Sequence, residues 1–193
     1  MANNVNVLET EVLSNNWFTL LKVTYNYLKR DNTWQTQVRE AYDRGNGAAI
    51  LLFNAKNKTV ILTKQFRLPT FINGNKDGMM IECCAGMLDK NNPEECIKKE
   101  ALEETGYQIK HVSKLFEAYM SPGAVTEILH FFVADYDESM KLNEGGGLTQ
   151  EQEDIEVVEL NFEVAYDMIA SGEIKDAKTI MLLQYAKIHK LLT

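Results

Sequence analysis

Between Ala85 and Tyr107 the sequence places more carboxylates on one short helix than stability alone would select. Asn92 is placed to cap that helix, Pro93 suits its first turn, Glu95 follows the cap by three residues, and Gly106 ends it. These signals predict a helix over Pro93–Thr105. Glu94 with Lys98, and Glu95 with Lys99, are acid-before-lysine pairs one turn apart, so the first half reads as a solvated face. The last turn reads differently. Glu103 and Glu104 stand at the negative end of the helix dipole, where each carboxylate costs roughly 0.3–1 kcal/mol, and Glu100 faces Glu104 as a like-charge pair. No Lys or Arg follows in that turn to offset them.

A divalent cation would offset them. Glu100, Glu103 and Glu104 share one helix face at i, i+3 and i+4, so their oxygens can converge on a hard ion such as Mg2+, which prefers carboxylates, carbonyls, water and phosphate. Acid-rich surface helices are common and most bind nothing, so the spacing needs its frame. That frame is a small-residue approach, Cys83-Cys84-Ala85-Gly86, a capped start, and then Lys99-Glu100-Ala101-Leu102-Glu103-Glu104-Thr105-Gly106-Tyr107.

This last stretch resembles the second half of the Nudix box, Arg-Glu-aliphatic-x-Glu-Glu-x-Gly-aliphatic. Lys99 stands in place of the Arg and Tyr107 in place of the final aliphatic residue. The interval from Gly86 to Lys99 is one residue short, so the box's first Glu falls among Asn91, Asn92 and Glu94 without a clean equivalent. Lys keeps the charge of Arg without its planar fork. The acids themselves are intact.

Length and charge narrow the class. The chain's 193 residues, 45% of them hydrophobic, suffice for one sizeable core with a small appendage. A net charge of -8 argues against binding nucleic acid through its phosphates and against an anionic membrane surface. Three Cys make no disulfide framework and read as reduced core thiols. Met1–Glu11 shows no basic segment leading into an apolar run, and no segment is long enough to span a membrane, so a cytoplasmic enzyme is expected.

Along the chain, Trp17–Arg44 alternates in the β manner around a turn at Lys29-Arg30-Asp31-Asn32, which predicts a hairpin ahead of the main domain. Arg44-Gly45-Asn46-Gly47 breaks the chain. Strands are expected at Ala48–Phe53, Thr59–Phe66, Met79–Cys84, Val112–Tyr119, Ile128–Ala134 and Ile155–Leu160. Asn143–Leu148, with its triple Gly, reads as a flexible segment leading into the acids Glu151, Glu153 and Asp154, as a mobile loop delivering a carboxylate would. Phe162–Ile169 and Ala177–Leu192 are helices by their apolar spacing. The alternation of strands and helices predicts an α/β sandwich, with residues 1–44 as the N-terminal hairpin region and residues 45–193 as the main domain.

Read whole, the chain is similar to the nucleoside diphosphate sugar branch of the Nudix superfamily. Pro122 lies sixteen positions after Gly106, and a hairpin precedes the box. The segments Arg39-Glu40, Tyr42–Gly47, Gln65-Phe66-Arg67 and Tyr119–Gly123 are similar to those of members that act on GDP-mannose. The resemblance implies a Nudix α/β/α sandwich with a mixed sheet, an N-terminal hairpin used for homodimer formation, and Mg2+-dependent cleavage of GDP-mannose to GMP and mannose 1-phosphate, with Mn2+ as the alternative ion. ADP-ribose, another sugar nucleotide, or a sensor that binds without cleaving are the competing expectations.

By the same resemblance, the Ala85 carbonyl, Glu100, Glu104 and Glu153 would be metal ligands, and Glu103 the remaining box acid. Glu151 and Asp154 are alternatives to Glu153. Arg39 and Arg67 match diphosphate-contacting positions, and Trp17 matches an aromatic beside the nucleotide. Val38, Glu40, Gly86, Met87, Glu127, Gln152 and Lys178 match substrate-lining positions. The partner implied is a nucleotide sugar, with no nucleic acid and no membrane.

Overall fold

A computed structural model describes residues 4–88 and 92–192. Asn91, one of the positions weighed for the first box Glu, lies outside the described residues. The chain divides into two compact units, one made of the residues up to Asn46 with Tyr119–Ile128, the other of Gly47–Ala118 with Leu129 onward.

The first unit is a three-stranded antiparallel sheet, β1 (Val5–Asn15), β2 (Thr19–Leu28) and β3 (Trp34–Asp43), in the order β1-β2-β3. The β2-β3 hairpin is the expected one, and its turn is closed by Asp31, whose Oδ1 accepts from the Thr33 N–H at 3.0 Å while Asn32 takes φ 60. β1 is an additional strand. Its register against β2 slips between Val7 and Glu9 and again between Val12 and Ser14. The Ser121–Thr126 turn docks on β3, with the Tyr42 N–H donating to the Ala124 carbonyl at 2.8 Å.

The second unit is built on a mixed sheet ordered β10-β5-β4-β9-β8, from β4 (Gly47–Asn54), β5 (Thr59–Phe66), β8 (Ser113–Tyr119), β9 (Ile128–Asp135) and β10 (Glu156–Asn161). β4 is antiparallel to β5 and parallel to β9. Its residues Ala48–Leu52 are wholly buried, as a near-continuous apolar run in a central strand requires. β4 and β5 pair only near their shared turn, at Leu52–Asn54 with Thr59–Ile61, and then diverge. The stretch expected as the single strand Met79–Cys84 fills that gap as two, β6 (Met79–Glu82) on β5 and β7 (Cys84–Met87) on β4. Cys83 is the corner between them. With no ladder partner, its N–H donates to Thr179 Oγ1 at 2.7 Å.

Helices close the layers. A short α1 (Leu68–Ile72) follows β5, and α2 (Pro93–Thr105) carries the acids. The Asn92 side chain caps α2 by accepting from the Glu95 N–H at 2.9 Å, and Gly106 ends it at φ 81. α2 buries Ile97 and Ala101 against Ile50, Leu52 and Cys84, and full burial of a side chain such as Ile97 contributes about 1.5–3 kcal/mol. α3 (Phe162–Ser171) follows β10, and α4 (Ala177–Ile188) packs on β4 with Leu182, Leu183 and Ala186 buried. α4 stops short of the expected Leu192 because Lys190 turns to φ 56. The α/β sandwich with a mixed sheet is therefore as expected.

Candidate active site

Where β7 meets the last turns of α2, the acids gather. The Ala85 N–H donates to Glu104 Oε2 at 3.3 Å, and Glu104 is only 3% exposed. Burial pushes the Glu104 carboxyl up to about 8, helped by the charges of Glu100 and Glu153 and opposed by hydrogen bonds from Cys84 and Ala85. Glu100 is pushed up to about 7, by burial first and then by Glu103, with Lys99 working against the shift. Gly86 lies directly under Glu100: a Cβ at that position would collide with the Glu100 side chain and displace its carboxylate. Glu103 pairs with Lys99 at 2.9 Å, so Lys99 serves Glu103 rather than Glu95, while Lys98 pairs with Glu94 as its spacing indicates.

The triple-Gly segment is not an unattached linker. Gly146 and Gly147 donate to the carbonyls of Glu104 and Glu103 at 2.9 and 3.1 Å, satisfying the open end of α2. Gly145 approaches so closely that a Cβ would strike the Glu104 carbonyl. This docking brings in Glu153, whose Oε2 accepts from the Leu148 N–H at 2.9 Å. Glu153 is half-buried and its charge weighs on both Glu100 and Glu104, whereas Glu151 is exposed and weighs on Glu100 among these two. Asp154 is exposed. Gln152, beside Glu153, is exposed at φ 60.

Among the described residues, no three His, Cys, Asp or Glu side chains are gathered tightly enough to hold an ion as they stand. The donor chemistry nevertheless fits one: hard oxygen donors, mutually repelling, half-buried to buried, beside a backbone corner. Members of the Nudix family generally use divalent ions of this kind.

At the other end of the same corner stands a group of cations. Arg67 Nε donates to Glu82 Oε2 at 2.8 Å, and Lys178 Nζ donates to Glu82 Oε1 and to Asp176 Oδ1, both at 2.9 Å. Glu82 and Asp176 were not singled out by sequence reasoning. The one available signal was Glu82 itself, an acid inside the apolar run Met79-Met80-Ile81 and Cys83-Cys84. Met87 contributes its carbonyl to the Cys96 thiol at 3.1 Å.

The remaining expected site residues belong to the first unit. Trp17 is 80% exposed and touches Phe18 edge-on, so it is not a packing residue. Val38 and Glu40 are exposed on β3, and Arg39 Nη1 donates to the Val38 carbonyl at 2.7 Å. Glu127 is largely buried beside Arg44, at 3.7 Å. A cavity of about 740 Å³ lies elsewhere in the second unit, lined by Ile109, Val133, Met140 and Tyr185, and none of Glu100, Glu103, Glu104 and Glu153 borders it. The chemistry, not the volume, marks the site.

Residues 4–42 match the family described as the GDP-mannose pyrophosphatase NudK N-terminal domain, and residues 43–183 match the NUDIX domain. The chain is 58% identical to a GDP-mannose pyrophosphatase of Yersinia enterocolitica and 53% identical to one of Escherichia coli O1:K1, each over the full length of both chains. A crystal structure of an ADP compounds hydrolase superposes with a TM-score of 0.72, covering 97% of this chain and 96% of the other at 17% identity, and so shares the fold. With a Nudix domain over most of its length and full-length relatives above half identity, the chain belongs to the Nudix hydrolase family.

Proposed function

We propose that the protein hydrolyses the diphosphate bond of a nucleoside diphosphate sugar, with GDP-mannose as the preferred substrate and GMP and mannose 1-phosphate as products. The observation that carries this reading is Glu104 and Glu100 packed against the Ala85–Gly86 backbone with the charge of Glu153 weighing on both, acids whose ionised forms a bound cation would offset. The relatives named GDP-mannose pyrophosphatase supply the substrate.

In this reading the Ala85 carbonyl, Glu100, Glu104 and Glu153 would hold a divalent ion, Mg2+ or in its place Mn2+. The ion, when bound, neutralises phosphate charge and lowers the pKa of water. Glu153 receives the proton of the attacking water. The water oxygen bonds to one phosphorus while the bond from that phosphorus to the bridging oxygen breaks, so the bridging oxygen leaves with the other phosphate. Lys99 holds Glu103 beside the site, and Arg67 grips the phosphate that is not attacked, where its planar fork suits paired oxygens.

Residues 1–44 would serve dimer formation and substrate contact, through Trp17, Val38, Arg39 and Glu40, with Glu127 from the docked turn. Residues 45–193 would carry the chemistry. Gly86, Met87, Gln152 and Lys178 would line the substrate. The three buried cysteines suit a reducing compartment such as the cytoplasm. Product analysis from GDP-mannose and ADP-ribose in parallel, with and without Mg2+, tests the reading. GMP and mannose 1-phosphate formed faster than AMP and ribose 5-phosphate, and only with metal, would support it. A preference for ADP-ribose would move the substrate, and binding without products would make the protein a sensor.

A further inference from the structure

Glu82 ends β6 at 4% exposure, and both of its oxygens are engaged by cations from distant parts of the chain. Arg67 reaches it through Nε alone at 2.8 Å, although a paired, two-bond grip is available to an arginine held purely for structure. This single bond fixes the plane of the guanidinium and leaves the two terminal nitrogens with no other hydrogen bond among the described residues, on a side chain 40% exposed. Lys178 is the opposite case. It is nearly enclosed, and although burial works against its charge, Glu82 and Asp176 hold the ammonium protonated.

The clamp is itself pinned. Asp176 Oδ2 accepts from the Thr179 N–H at 2.9 Å and from its hydroxyl at 2.6 Å, and Thr179 Oγ1 accepts from the N–H of Cys83, the residue next to Glu82. Three residues further on, the Ala85 N–H meets Glu104. One backbone corner, spanning no more than ~10 Å, thus carries the cation clamp at one end and the acids at the other.

We propose that Glu82 is a positioning residue that aims Arg67, and steadies Lys178, for the diphosphate of the substrate. The assignment rests on the hydrolase reading above. It goes beyond that reading because Glu82, an acid, can bind no phosphate itself and acts only through the two cations it orients.

The test uses the full-length protein with Mg2+ and compares Glu82→Gln, Glu82→Asp, Arg67→Lys and the double variant Glu82→Gln/Arg67→Lys. Hydrolysis of GDP-mannose gives kcat and KM, calorimetric titration with GDP gives Kd, and thermal melting reports the fold. Glu82→Gln is expected to weaken GDP binding and raise KM by about tenfold or more, while kcat changes far less, because a charge-assisted contact to phosphate is misaimed. The double variant is expected to bind GDP less weakly than the two single losses combined would give, because only the Lys178 contact remains for Glu82 to steady. Glu82→Asp keeps the charge but withdraws it by one methylene, so it is expected to fold and to fall between wild type and Glu82→Gln. Wild-type GDP binding in both Glu82 variants, or losses that add in the double variant, would overturn the proposal. If the wild type binds GDP but hydrolyses no sugar nucleotide, the hydrolase reading fails, and the same coupling between Glu82 and Arg67 in the GDP titration still decides this one.

Discussion

Glu100 and Glu104 show at the scale of single residues what the site demands. Their carboxyls are pushed up to about 7 and about 8, from 4.5, by burial and by their acid neighbours. Between those values the folded chain holds protons that the unfolded chain has released, so in the absence of metal its stability falls as pH rises through this window. Melting in EDTA is therefore expected to drop from pH ~5 to pH ~8.5, and Mg2+ is expected to restore most at the alkaline end. A flat profile would show that the acids are not strained. Gly86 makes a second, sharper case. Gly86→Ala would drive a Cβ into the Glu100 carboxylate, so the Mg2+ concentration needed for half-maximal activity should rise by about 10–100-fold, as read from metal titrations. Glu100, Glu103 and Glu104 were legible in the sequence because one helix sets their spacing. Glu82 was not, because Lys178, which fixes its role, lies 96 positions away and no local pattern records the pairing.

Among the elements, the loop between β9 and β10, which docks on the end of α2, carries the most consequence. Its glycines were legible as glycines but not as a dock, since the carbonyls of Glu103 and Glu104 that receive them become partners only once α2 has formed. Gly145→Ala would place a side chain at φ 68 and against the Glu104 carbonyl, and is expected to lower unfolding stability by about 1–3 kcal/mol in urea titrations. Because the same loop presents Glu153, kcat should fall with it. Helix α2 was readable from its cap and its glycine stop, and the structure keeps both ends. Strand β1 was not, because two register slips break the alternation on which a strand is recognised. The single strand expected from Met79 to Cys84 became two because β4 and β5 part company, an event set by pairing rather than by the residues of that segment.

For the whole molecule, the two remaining questions are assembly and chemistry. β1 exposes Val5, Val7, Leu8, Val12 and Leu13, an apolar set that a solvated edge strand normally avoids. If the proposed homodimer forms through these strands, Val7→Lys with Val12→Lys should shift sedimentation from dimer to monomer, and an unchanged dimer would place the interface elsewhere. Among the described residues no helix is long and apolar enough to cross a membrane. The central claim is that the acids are kept against stability for the sake of a bound cation and its chemistry. It is tested most directly by Glu104→Gln, measured at once for melting in EDTA near pH ~8 and for hydrolysis of GDP-mannose at saturating Mg2+. The account predicts a metal-free protein that melts no lower than wild type, and higher where the buried charge is removed, together with a loss in kcat of at least about 10²-fold. Retained turnover, or lost turnover explained by a lower melting temperature, would contradict it.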